Sequence, residues 1–149
     1  MAKYSGFGQS TAVAADTHMN LFGSGAIRPS IYDILIGSDA TPADNAYEFS
    51  LGRTTAIGTE GSGFTPVALD PLTVAATGDF GIDHAAEPTY TANAELLDIG
   101  LNQRATFRWV AAPGGELIAT ATNANGIGLL CVTVAGSGVN INTTMMYEE

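Results

Sequence analysis

Short alternating runs, cut by turn residues at intervals of roughly 8–12, leave this chain little room to be helical. Tyr47, Phe49 and Leu51 alternate with Ala46, Glu48 and Ser50. That period of two buries one side of a strand and wets the other. Val139, Ile141, Thr143, Met145 and Tyr147 repeat the pattern near the end, and Ile31 to Ile36 is β-branched and aromatic up to the turn at Gly37-Ser38-Asp39. Ile127 to Val134 is apolar on both faces, as a central strand should be. Pro66 and Pro71 assign Phe64–Leu72 to an edge or an extended crossing, because proline cannot donate to a ladder. Gly-Ser-Gly at 23–25, 61–63 and 136–138, and Asn123-Ala124-Asn125-Gly126, read as turns. The expectation is an all-β, single-domain antiparallel β-sandwich or jelly-roll-like barrel of about eight strands. Residues 1–27 are expected to form an N-terminal arm and first strand, and residues 28–149 the β-sandwich domain.

Asn102 to Pro113 holds the only tryptophan and two of the five basic residues. As one strand it sets Ala105, Phe107 and Trp109 on one face and Arg104, Thr106 and Arg108 on the other. Phe107 and Trp109 are then expected to anchor the core, with Trp109→Ala costing roughly 3–5 kcal/mol. Arg104 and Arg108 read as surface charges or as grips on a neighbour, since the planar guanidinium fork suits interface carboxylates.

Charge narrows the partners. Fifteen acidic residues against five basic give −10, with one lysine. Nucleic acid and anionic membrane surfaces both recruit clustered Lys and Arg, so neither is expected as a partner. At 149 residues the chain can bury a core without staples, and the single cysteine, Cys131, reads as a small buried hydrophobe. The N-terminus lacks the apolar core of a signal peptide. Assembly in a cytoplasm is expected.

Catalysis finds little support. A nucleophilic triad needs a histidine beside an activated hydroxyl or thiol and a third group to orient it. His18 and His84 are the only histidines, and no Gly-x-Ser-x-Gly elbow is present. Asp79, Asp83, His84 and Glu87 lie within nine residues, but their spacing fits no recognised cation loop, and a solvated loop is the better reading. No enzyme activity, cofactor or metal is expected.

Two segments carry a resemblance. Ile31-Tyr32-Asp33-Ile34-Leu35-Ile36-Gly37-Ser38-Asp39-Ala40-Thr41-Pro42-Ala43-Asp44-Asn45 resembles a stretch common in small structural proteins of tailed bacteriophages. So does Gln103-Arg104-Ala105-Thr106-Phe107-Arg108-Trp109-Val110-Ala111-Ala112-Pro113-Gly114-Gly115-Glu116-Leu117, as does the ending on a strand and Glu148-Glu149. The resemblance covers most of residues 28–149. It implies a virion component on the capsid exterior: a jelly-roll-like head decoration, or cement, protein that binds the major capsid protein and itself as a homotrimer. Tyr4 and Phe7 of the arm, Asp83 and His84 of the acidic loop, and Arg104 and Arg108 are the expected protein contacts. A receptor- or carbohydrate-binding sandwich of a tail or spike is the alternative.

Overall fold

Alternation becomes two stacked sheets. The computed structural model describes residues 1–149 as twelve strands with no helix: β1 (Lys3–Thr11), β2 (Asp16–Phe22), β3 (Ser30–Ser38), β4 (Ala46–Thr54), β5 (Ser62–Phe64), β6 (Val67–Ala68), β7 (Asp79–Ile82), β8 (Tyr90–Asn102), β9 (Phe107–Val110), β10 (Leu117–Ile118), β11 (Gly126–Val134) and β12 (Asn140–Glu148). One sheet runs β10-β3-β12-β1-β6, with β9 also on β3, and the other runs β5-β7-β2-β11-β4-β8. Every pairing is antiparallel. The excess over eight strands comes from short pieces such as β5, β6 and β10.

The core lies between the sheets. Tyr4, Ile34, Ile36, Ile141, Met145 and Tyr147 come from the first sheet; Met19, Leu21, Phe49, Leu51, Phe80, Ile127 and Leu129 come from the second. β11 sits between β2 and β4, and the Tyr90 ring lies against Gly128 on the side away from Ile127 and Leu129, so the start of β11 is buried on both faces while Thr133 near its end is exposed. An aromatic line threads the interior: Tyr4 stacks on Tyr147 at 5.5 Å between ring centroids, and Phe80 meets Tyr147 edge-on at 5.8 Å. Gly6 makes room for it, because a Cβ there would fall inside the Phe80 ring.

Three expectations are corrected. Residues 1–27 form no arm: β1 pairs along its whole length with β12, and β2 lies between β7 and β11. Small residues that looked uncommitted in sequence are there to let the sheets approach. Asn102–Pro113 is not one strand either. A turn at Gln103-Arg104 ends β8, and Phe107–Val110 is a short edge strand on β3. Phe107 and Trp109 do face inward, but at the margin, half-buried against the core instead of anchoring it. Gly61-Ser62-Gly63 also runs into β5 instead of turning.

Gln103 is what the opening stretch contributes to the interior. Its side chain has no solvent exposure. Its Oε1 accepts from Ala43 N at 3.0 Å, and its Nε2 donates to Ser137 O at 3.2 Å. Its own carbonyl accepts from Ser38 Oγ. One glutamine thereby ties three connections together.

Candidate functional site

Three regions bear on function: the outer face of the first sheet, the outer side of the second, and a cavity on one flank.

Strand register defines the first. Phe7 lies opposite Thr144, Thr144 opposite Leu35, and Leu35 opposite Arg108, a single row across β1, β12, β3 and β9. The neighbouring row is Val67, Ser5, Met146, Asp33 and Val110. Phe7 is 69% exposed, and Val67, Leu35 and Val110 are exposed as well. Phe7 also leans on Phe64 at 5.7 Å. Arg108 closes the row with a two-pronged bond to Asp33: Nε to Oδ1 at 3.1 Å and Nη2 to Oδ2 at 2.6 Å. The Asp33 side chain is only 7% exposed against 61% for Arg108. Asp33 is therefore committed to the pair, while part of the guanidinium stays open to a partner. The contact also holds the Arg108 guanidinium above its ordinary range.

The second region is closed by its own chain. Gly52 and Gly128 leave a trough that the Tyr90 ring fills, and Tyr90 Oη meets Thr17 Oγ1 at 2.9 Å. Glu87 accepts from Thr17 N at 2.7 Å, and His84 Nδ1 lies 3.2 Å from Thr17 O. Asp79, Asp83, His84 and Glu87 do not converge. Asp79 accepts from Phe80 N, Asp83 is exposed with its backbone at φ 53°, and His84 is buried. The segment after β7 covers the sheet. Burial, and then Glu87 and Asp83, push the Asp16 carboxyl up to about 6; the Thr17 backbone opposes this.

Ser10 Oγ lies 2.6 Å from His18 Nδ1, the one hydroxyl–imidazole contact in the chain. Burial pushes His18 down to about 4, against opposing effects of the Gly8 backbone and Asp83. A neutral imidazole beside a hydroxyl is the nucleophile-and-base pair of a triad. The third group is missing: no carboxylate meets His18 Nε2, which is buried without a hydrogen-bond partner. The pair is a packed polar contact between β1 and β2.

Of the residues expected to make contacts, the fold brings Phe7 and Arg108 into one row and separates the rest. Tyr4 is in the core, its hydroxyl donating to Val74 O at 3.1 Å. Burial takes Tyr4 and His84 out of contention as contact residues. Arg104 sits in the turn after β8 with its Nε on Pro42 O at 3.3 Å, and Asp83 follows β7 in the second sheet, in the other layer from Phe7. Leu35, Val67 and Val110 were missed. Leu35 hides in the apolar run Ile31–Ile36, where only the alternation of Ile34 and Ile36 about it marks the outward position.

The cavity, about 410 Å³, was also missed. It opens on the flank where β8 and β10 edge their sheets, between Arg28, Arg53, Leu96, Glu116, Leu117 and Ile118. Arg53 Nη1 donates to Ile118 O at 2.5 Å. No known protein family, curated protein or solved structure matches this chain.

Proposed function

We propose that this chain is a non-enzymatic structural protein of a tailed-phage virion, a decoration protein on the capsid exterior that binds the major capsid protein and copies of itself. The exposed face of the first sheet carries the reading. Its two rows set Phe7, Leu35, Val67 and Val110 among small polar side chains, with Arg108 at one end. Two rows whose only charged residues are the paired Asp33 and Arg108, on a chain of net charge −10, suit a protein surface better than a small solute. The resemblance of Ile31–Asn45 and Gln103–Leu117 to phage structural proteins supplies the setting. Phe7 is the only largely exposed aromatic residue, which disfavours a carbohydrate-binding platform, where stacked aromatic rings do the holding.

Co-sedimentation with capsids stripped of this protein tests the reading. Wild-type protein should pellet with them, and Phe7→Ser combined with Leu35→Ser should lose most of that binding while melting as a folded protein. Equal pelleting of the double variant, or binding to tails and not heads, overturns it.

A further inference from the structure

The five basic residues are used unevenly. Arg108 pairs with Asp33, Lys3 lies over the Tyr32 ring, and Arg104 holds Pro42 O. Arg28 and Arg53 have no ion pair, although fifteen acids are available, and both line the flank cavity. The one acid in the cavity wall, Glu116, accepts from Gly114 N at 3.2 Å and is outnumbered by the two guanidinium groups; beside the apolar walls of Leu96, Leu117 and Ile118 they form a site for a carboxylate carried next to an apolar side chain.

The chain presents such a pair on its opposite flank. β6 edges the first sheet on the side away from β10, and the loop Leu69-Asp70-Pro71-Leu72-Thr73-Val74 follows it. Leu72 is 93% exposed, the most exposed large hydrophobic residue, and Leu69 and Val74 are exposed too. The loop is held in shape. Asp70 Oδ1 accepts from Leu72 N at 3.0 Å, Thr73 N donates to Asp70 O, and Leu69 N and Val74 O are tied to Lys3 O and Tyr4 Oη. A preformed loop loses little freedom on docking.

We propose that the Arg28–Arg53 cavity receives the Leu69–Val74 loop of a second copy of this chain, Leu72 against the apolar wall and the Asp70 carboxylate on the guanidinium groups. Because cavity and loop lie on opposite flanks, the contact is head-to-tail, and such contacts close into rings or extend into filaments. The inference rests on the self-association part of the function proposed above and names its contact. It is independent of the capsid-binding face.

Sedimentation equilibrium on wild type, Leu72→Glu and Arg28→Glu, with circular dichroism to show that each is folded, provides the test. Both altered residues are solvent-exposed, so folding is preserved. Wild type should form a discrete oligomer, and each variant should be monomeric, with a dissociation constant raised about 100-fold or more. An equimolar mixture of the two variants should give heterodimers and nothing larger, since one intact cavity and one intact loop remain. Variants that keep the wild-type size, or a mixture that stays monomeric, overturn this contact and leave self-association standing. A wild-type monomer at high micromolar concentration overturns both.

Discussion

Two buried-side titrations of opposite sign meet at the start of β2, and removing one should expose the other. Asp16 is pushed up to about 6 by burial and by Glu87; an unfolded aspartate sits near 4. Between those values the folded chain holds the extra proton. Stability from protonated Asp16 is fully present below about pH 4 and is lost as pH rises through about 6. A shift of about 2 units is about 3 kcal/mol before screening, and Asp16 is open enough to solvent to bring this to about 1–1.5 kcal/mol. His18 does the reverse. Burial pushes it down to about 4, whereas an unfolded histidine titrates near 6.5. Its contribution is fully present above about pH 6.5 and is lost as pH falls through about 4, a change of about 3 kcal/mol.

In the wild type the two slopes oppose each other over the same window, leaving this pair a net loss of about 2 kcal/mol between about pH 7 and about pH 4. Asp16→Asn should be about 1 kcal/mol more stable than wild type near pH 7, because a penalised carboxylate is gone, and that advantage should vanish near pH 4. His18→Gln, which can still meet Ser10, should remove the acid loss. Urea denaturation at both pH values, compared through midpoints and m-values, reads these differences. If Asp16→Asn is no more stable than wild type near pH 7, or keeps its advantage near pH 4, the assignment of the proton to Asp16 is wrong.

Three further outcomes follow from packing. Trp109→Ala, at a sheet margin, should cost about 1–3 kcal/mol by chemical denaturation, clearly less than the roughly 3–5 kcal/mol of Phe49→Ala in the centre. Equal costs would restore Trp109 as a core anchor. Gly6→Val should destabilise by about 1–3 kcal/mol through overpacking against Phe80, and combining it with Phe80→Ala should give less than the sum of the two. Cys131 is buried, with its thiol pushed up to about 12, so a thiol reagent should label it only at the rate of unfolding. Rapid labelling of native protein would contradict that burial.

Much of the sandwich was legible because burial in a strand leaves a period of two. Tyr47, Phe49 and Leu51 could be assigned to a core with no neighbour known, and so could the central place of Ile127–Val134. What sequence could not carry was which strand lies beside which. Phe7 and Arg108 stand 101 positions apart in the chain, yet share a row through Thr144 and Leu35, and no local signal encodes that. The 1–27 segment misled for a related reason. Gly6 and Gly8 look like flexible punctuation but are small because Phe80 and Ile82 fill the space above them. Arg28 and Arg53 are separated by β3 and the connection to β4, so their shared cavity exists only once β10 has closed the flank.

The same topology bears on how the chain reaches its fold. None of the ten strand pairings joins consecutive strands. β1 pairs with β12, Lys3 opposite Glu148, so the two ends of the chain must meet before the first sheet is complete. No hairpin can act as a local nucleus, and each ladder requires closure of a long loop before its contacts repay the cost. Refolding should therefore be slow for a domain of this size, on a timescale of about seconds or longer. Deleting the last strand should cost the entire first sheet, not a peripheral piece. Stopped-flow dilution from urea, followed through Trp109 fluorescence, measures the rate. Complete refolding within about a millisecond would mean that a local nucleus exists that these pairings do not contain.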